Sequence, residues 1–222
     1  MSAARMLVLA KAPAAGLVKT RLGAHVGLAE AAAVAAAALL DTLRACVEAV
    51  GPARCHLALA GDLPGAVRGD ELVRAVDGWT VRAQRGPDFA TRLVIAHLDL
   101  APGDGPVVQI GMDTPQVTPG LLTGAAAATE EYDAVLGPAE DGGWWVLALD
   151  DPRHAAALAG VEMSTPHTHD HTRRALEGRG LRVGATATLR DVDTAADAEA
   201  VSAGLPGGHF VRAWSTLREA GA

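Results

Sequence analysis

The sequence predicts a single-domain α/β fold, with a mostly parallel sheet and helices on both faces. Short apolar runs alternate with longer helical stretches, the pattern of βαβ units. Half of the 222 residues are hydrophobic and 20% are charged, which is ample for one core. Glycine- and proline-punctuated loops directly follow several of the apolar runs. Such a sheet presents its ligands at that edge.

The elements follow in order. Residues 6–10 read as a first strand and residues 11–27 as a functional loop. Residues 28–50 form a long alanine-rich helix. Its charges Glu30, Asp41, Arg44 and Glu48 set it apart from a membrane span, which needs about 20 nearly uncharged apolar residues. Strands are expected at 54–60 and, more weakly, at 80–84. A helix over 89–100 is stopped by Pro102 and Gly103. The run PVVQIGM at 106–112 is the clearest central strand, with Asp113 at its carboxyl end. A helix follows Pro119, and strands at 134–136 and 144–149 flank a turn-rich segment. A helix near 170–178, a strand at 181–184 and a helix at 195–203 come next. The tail beyond Pro206 forms a last helix around 211–220.

A net charge of -7 and few aromatic residues argue against nucleic acid or anionic membrane as partners. A phosphate site must therefore be local. Only Lys11 and Lys19 are lysines among nineteen Lys and Arg residues, and they lie within nine residues of one another. Cys46 and Cys55 lack metal-ligand spacing and read as buried free thiols. The apolar run at 6–10 is too short for a signal peptide, so a cytoplasmic protein is expected.

Four segments carry chemistry. In the first, Lys11 to Leu22, Gly16 lets backbone N–H groups approach an anion while Lys19 and Arg21 supply charge for phosphate oxygens. It is neither a Walker loop nor a dinucleotide loop, and a solvated basic loop is the plainer alternative. In the second, Asp113 at the tip of the central strand suits Mg²⁺ or Mn²⁺, or else a turn or cap. The third, 137–145, offers Glu140 and Asp141 for hydroxyls or an ammonium, and Gly142 and Gly143 for close backbone approach. Its alternative is a hairpin with an Asp-Gly turn. In the fourth, Asp191 and Asp193 flank a possible metal, while Thr194 and Asp197 read as a helix cap. His167, His169 and His171 suggest zinc, but Thr165-Pro166 reads as a cap and first turn that leaves them exposed beside the crevice.

Together these segments resemble the nucleotide-diphospho-sugar transferase-like family of the radical-SAM/selenium-domain-associated glycosyltransferase type. That family is related to phospholactate guanylyltransferase and molybdenum cofactor guanylyltransferase. The matches are Lys11, Pro13, Gly16 and Lys19 through Leu22; Gln84, Gly86, Asp88 and Arg92; Gly111, Asp113 and Pro115; Gly137, Pro138 and Asp141 through Gly143; and Asp191, Asp193, Thr194 and Asp197. The likeness spans about residues 6 to 203. It implies a GT-A-like (Rossmann-like) fold, a nucleotide-binding transferase domain over 1–205, and a tail over 206–222. It further implies phosphate contacts from Lys19 and Arg21, nucleotide contacts from Lys11, Gly16, Gln84, Gly86 and Arg92, and Mg²⁺ or Mn²⁺ on Asp113 with Asp191 or Asp193. Phe89-Ala90 replaces the family's Leu-Gly, Trp144 stands where Tyr is commoner, and Met163 replaces a Trp before Ser164. The last two point to a changed acceptor pocket.

The expected reaction is attack by a small acceptor on a nucleotide's α-phosphorus or on a sugar's anomeric carbon. Charge on the leaving group is stabilised by the metal, Lys19 and Arg21. The basic loop suits a triphosphate and favours nucleotidyl transfer over glycosyl transfer; a non-catalytic nucleotide sensor is the competing class. A dehydrogenase would need a glycine fingerprint that is absent. Asp141, Gly142, Gly143, Trp144, Ser164 and His167 are expected on the acceptor side. Successive strand residues face opposite ways, so Trp144 rather than Trp145 is expected in the pocket.

Overall fold

The computed structural model describes residues 4–101 and 103–221. Its strands are β1 (Arg5–Lys11), β2 (Cys55–Ala60), β3 (Thr80–Ala83), β4 (Val107–Ile110), β5 (Ala134–Pro138), β6 (Trp144–Leu149) and β7 (Val183–Ala185). They form one sheet in the order β3-β2-β1-β4-β6-β5-β7. β6 runs antiparallel to both β4 and β5, while the other pairings are parallel. The carboxyl ends of β1, β4 and β5 therefore share one edge, and β6 begins at that edge. The expected α/β class and mostly parallel sheet are present.

The helices are α1 (Thr20–Val26), α2 (Leu28–Val50), α3 (Gly69–Ala75), α4 (Phe89–Leu98), α5 (Pro119–Ala128), α6 (Thr168–Glu177), α7 (Ala195–Ala203) and α8 (His209–Gly221). α2 explains its own composition. Ala32, Ala35, Ala36 and Leu39 join the cluster on one face of the sheet, while Ala31, Val34 and Ala38 pack in a separate cluster with Leu22, Phe210 and Trp214. A helix covered on two sides needs small side chains if its neighbours are to come close. On the opposite sheet face α4 and α6 cover Leu7, Leu9, Leu136 and Leu147. No helix among the described residues is long and apolar enough to cross a membrane.

The structure corrects parts of the sequence reading. The segment 11–27 is not all loop, because α1 occupies its second half. α3 and the 3-10 helix Pro152–Leu158 were not anticipated. Each is only seven residues, about two turns, which gives a helical period too little length to register. Pro102, expected to end α4, lies outside the described residues, and α4 closes at Leu98. The segment beyond 206 is a 13-residue helix fastened to the body of the fold. Asp41 of α2, only 3% exposed, accepts hydrogen bonds from the backbone N–H groups of His209 (3.0 Å) and Phe210 (2.8 Å). It thereby satisfies amides that a helix start leaves without partners.

Candidate functional site

A cleft of about 600 Å³ opens along the edge where β1, β4 and β5 end. Its wall on the β1 side is the loop into α1. Lys19 is the residue before that helix and adopts the left-handed conformation (φ 48°, ψ 44°). Side chains other than glycine seldom accept this strain, which concentrates at functional positions. It tucks the Lys19 side chain inward until only 6% is exposed. Nζ then lies 2.7 Å from Asp113 Oδ1 and 2.7 Å from Asp193 Oδ1. Arg21, 78% exposed, reaches Asp193 at 3.5 Å.

Asp113 follows β4, and the 189–193 segment is stitched beside it. Val192 N–H donates to the Asp113 carbonyl at 3.0 Å, and Glu140 N–H to the Leu189 carbonyl at 3.0 Å. Thr114 Oγ1 lies 3.4 Å from Asp191 Oδ1. The capping box of Thr194 with Asp197 starts α7 and sets Asp191 and Asp193 just ahead of it. The site thus joins residues about 80 and 170 positions apart in sequence.

Electrostatics follow from this packing. Burial would lower the Lys19 ammonium, but the carboxylates of Asp113 and Asp193 outweigh it and raise its pKa. Burial would raise Asp193, yet Lys19 holds it below the ordinary carboxylate value. At Asp191 the charge of Lys19 is outweighed. Burial, and then the charges of Asp113 and Asp141, push it up to about 7. The cleft therefore sets Asp113, Asp141, Asp191 and Asp193 against Lys11, Lys19, Arg21 and Arg92, with the acids gathered around Lys19. Among the described residues, no three Asp, Glu, His or Cys side chains converge into a closed metal cage. Mg²⁺ does not require one, since it binds through one or two carboxylates and completes its shell with water and substrate phosphates. Asp113 and Asp193, brought together by Lys19, supply that number of carboxylates.

The third segment is both a hairpin and a cleft wall. Asp141 Oδ1 accepts from Gly143 N–H at 2.8 Å and closes the Asp-Gly turn between β5 and β6. Gly142 has φ +88°, and a Cβ there would fall 2.1 Å from the Pro166 carbonyl oxygen. His169 N–H also donates to the Gly142 carbonyl at 2.9 Å. That close approach seats Met163 to Thr168 along the cleft, including Ser164, which is itself left-handed at φ 61°. Trp144 lines the cleft and bonds Thr172 Oγ1 at 3.1 Å. The indole of Trp145 is 1% exposed and donates to the Ala187 carbonyl at 2.8 Å.

Lys11, Lys19, Arg21, Gln84, Arg92, Asp113, Asp141, Gly143, Trp144, Ser164, Asp191 and Asp193 all line the cleft. Gly16, Gly86, Gly142 and His167 do not. Gly16 (φ +76°) turns the loop ahead of Lys19, and Gly142 acts through packing. Gly86 takes φ +130° where a Cβ would meet Thr91 at 2.9 Å, and its carbonyl accepts from Arg92 Nε at 3.1 Å. His167 is exposed just before α6, its ring 6.0 Å from that of His171. Gln84 Nε2 donates to the Ala10 and Ala58 carbonyls, each at 3.0 Å, clamping β1 to β2 beneath the cleft. Sequence reasoning missed Gln109, Leu9 and Thr168 in the lining, and Trp145, expected outside the pocket, borders it beside Trp144 although it is almost wholly buried. For Gln109 a signal existed, a lone amide in an apolar strand.

Residues 42–165, more than half of the chain, match a family described as an uncharacterized protein conserved in bacteria. The chain belongs to that family, DUF2064. The matched stretch includes Asp113, Asp141 and Trp144 but neither the Lys19 loop nor Asp191 and Asp193. No curated protein matches this DUF2064 chain by sequence. Among solved structures it is similar to a protein of Desulfovibrio desulfuricans G20, provisionally described as a nucleotide-diphospho-sugar transferase. That pair shares 27% identity over 99% of this chain and 95% of the other, with a TM-score of 0.82. Rv0371C of Mycobacterium tuberculosis H37Rv in complex with manganese is similar at 18% identity, over 89% and 97% of the two chains, with a TM-score of 0.53. CMP:2-keto-3-deoxy-manno-octonic acid synthetase complexed with CTP is similar at 13% identity, over 90% and 97%, with a TM-score of 0.54. These last two likenesses are of fold.

Proposed function

We propose that this DUF2064 protein is a metal-dependent transferase that uses a nucleoside triphosphate or a nucleotide sugar, with nucleotidyl transfer the favoured reaction. The observation that carries this reading is the strained, buried Lys19, held between Asp113 and Asp193 at the carboxyl edge of the sheet. A cation on a basic loop facing carboxylates across a cleft is the arrangement that polyphosphate and a divalent ion would share. The Desulfovibrio likeness and the manganese- and CTP-bound structures of similar fold support it. The kinship with guanylyltransferases expected from the motifs belongs to the same reading.

In nucleotidyl transfer an acceptor oxygen attacks the α-phosphorus, the bond from that phosphorus to the bridging oxygen breaks, and pyrophosphate leaves. Lys19 and Arg21 neutralise charge developing on the pyrophosphate, while Lys11 and Arg92 bind the nucleotide. Asp113, Asp191 and Asp193 would hold Mg²⁺ or Mn²⁺, which when bound supplies Lewis-acid stabilisation of phosphate charge. Trp144, Ser164 and the hairpin at Asp141 would shape the acceptor side. Glycosyl transfer is the second reading, favoured by the description of the Desulfovibrio protein.

The test is a binding panel of ATP, CTP, GTP, UTP, UDP-glucose and GDP-mannose with and without Mg²⁺, using wild type and Asp113→Asn. One nucleotide should bind in a Mg²⁺-dependent manner, and Asp113→Asn should weaken that binding while the protein still folds. Equal nucleotide affinity in the variant would remove Asp113 from the metal site. Binding without turnover on any acceptor would return the protein to the sensor class.

A further inference from the structure

Beneath the cleft, three buried polar atoms lack a hydrogen bond of good geometry, Nδ1 and Nε2 of His97 and Oε1 of Gln109, although the His97 ring and the Gln109 side chain lie close enough to interact. His97, on α4, is completely buried, and Gln109, on β4, is 3% exposed. Such a cluster in a well-packed core calls for an explanation. The two side chains share a sheet face. Gln109 stands in register with Leu7 of β1 and Leu147 of β6, both of which pack in the cluster that contains Leu93 and Ala96 of α4. They are also complementary, since a neutral imidazole has one N–H to donate and Oε1 can accept it. Burial drives the ring down to about 4, and the opposing influence comes from Gln109. The imidazole is therefore neutral at ordinary pH.

Gln109 also belongs to the cleft lining. Of its two amide atoms, Oε1 is the one buried without a partner, and Nε2 is not. With its oxygen buried and the residue in the lining, the amide N–H groups are the part of Gln109 that can serve the cleft. Its companions in the lining on this side are Leu9, Gln84, Phe89 and Arg92. The opposing charges of Lys19, Arg21, Asp113 and Asp193 lie in the loops past the strand ends. Apart from the Arg92 guanidinium, this side offers apolar surface and neutral amides, which suits the uncharged portion of a ligand, and the charged loops suit its phosphates.

We infer that Gln109 is a ligand-contacting residue, donating its amide N–H to an uncharged acceptor atom on the nucleoside part of the bound nucleotide. His97 is its positioning residue, donating a ring N–H to Oε1 so that the amide cannot flip. This rests on the reading of the cleft as a nucleotide site.

The experiment compares wild type, Gln109→Met, His97→Phe and the double variant by calorimetric titration with Mg²⁺. The probes are the tightest-binding nucleoside triphosphate and inorganic tripolyphosphate, which has no nucleoside. Gln109→Met should weaken the triphosphate roughly five- to tenfold, the worth of one neutral hydrogen bond, and leave tripolyphosphate unchanged. His97→Phe should reproduce that selective loss, and the double variant should lose no more than either single one. A loss shared equally by both probes would make the pair merely structural and overturn the inference, as would unchanged triphosphate affinity in Gln109→Met. If either variant fails to fold, the other decides by the same selectivity. A wild-type protein that binds no nucleotide would overturn the proposed function and this inference together. One that binds nucleotide while Gln109→Met matches it would overturn the inference alone.

Discussion

On the proposed reading, Lys19 serves two states of the site. Without ligand its ammonium compensates Asp113 and Asp193, and with ligand it would turn to phosphate and leave those carboxylates to a metal ion. Lys19→Ala is therefore expected to act in opposite directions on two measurements. Turnover should fall roughly tenfold to a hundredfold, the value of a charge-assisted bond to phosphate. Mn²⁺ affinity of the nucleotide-free protein should rise, because the freed carboxylates no longer have a covalently tethered competitor. Titration of Mn²⁺ followed by electron paramagnetic resonance would measure this, and an unchanged or weaker affinity would refute the exchange. Arg21→Ala should alter turnover with little effect on folding, since its side chain is 78% exposed.

At the scale of elements, two contacts between segments far apart in sequence decide where the cleft walls stand. The β5–β6 hairpin meets the Met163–Thr168 segment through Gly142, where neither the positive φ nor the 2.1 Å gap admits a methyl group. Gly142→Ala should cost about 1–3 kcal/mol from backbone strain. It should also push Ser164 out of place, so acceptor KM should change more than nucleotide affinity. Steady-state kinetics on a folded variant would test this, and an equal change in both would argue against an acceptor role for that wall. The second contact is Asp41 with the start of α8. Asp41→Ala removes a cap and leaves two amides unsatisfied, with an expected loss of about 1–3 kcal/mol in urea unfolding. Phe210 and Trp214 pack against α2, so a chain cut after 205 should expose them and aggregate. A truncated chain that stayed monomeric and as stable as the full one would show α8 to be dispensable.

For the molecule as a whole, pH and composition give further expectations. In the folded chain burial holds His97 at about 4, whereas an unfolded histidine titrates near 6.5. Because the folded value is the lower, the unfolded chain takes up the proton first, so the stability present above pH 6.5 is lost as pH falls through 4. The full difference is worth about 3 kcal/mol. Urea unfolding at pH 7, 5 and 4 should therefore show a steeper decline in wild type than in His97→Phe, and parallel curves would contradict it. The sequence alone determined the α/β class, the order of the main strands and helices, and the charged residues of the cleft. Those signals are local: apolar runs of strand length, a capping Thr194, a glycine loop, and acids at strand ends. It could not separate a hairpin turn from a binding loop at Asp141, because in the fold that segment is both. It placed His167 in the pocket and left Gln109 unremarked, because which side chains reach a cleft depends on how α4, α6 and the sheet pack. Tertiary structure alone decided that Lys19 would stand between Asp113 and Asp193, since no local rule brings together residues 94 and 174 positions apart, and only their shared sheet edge does.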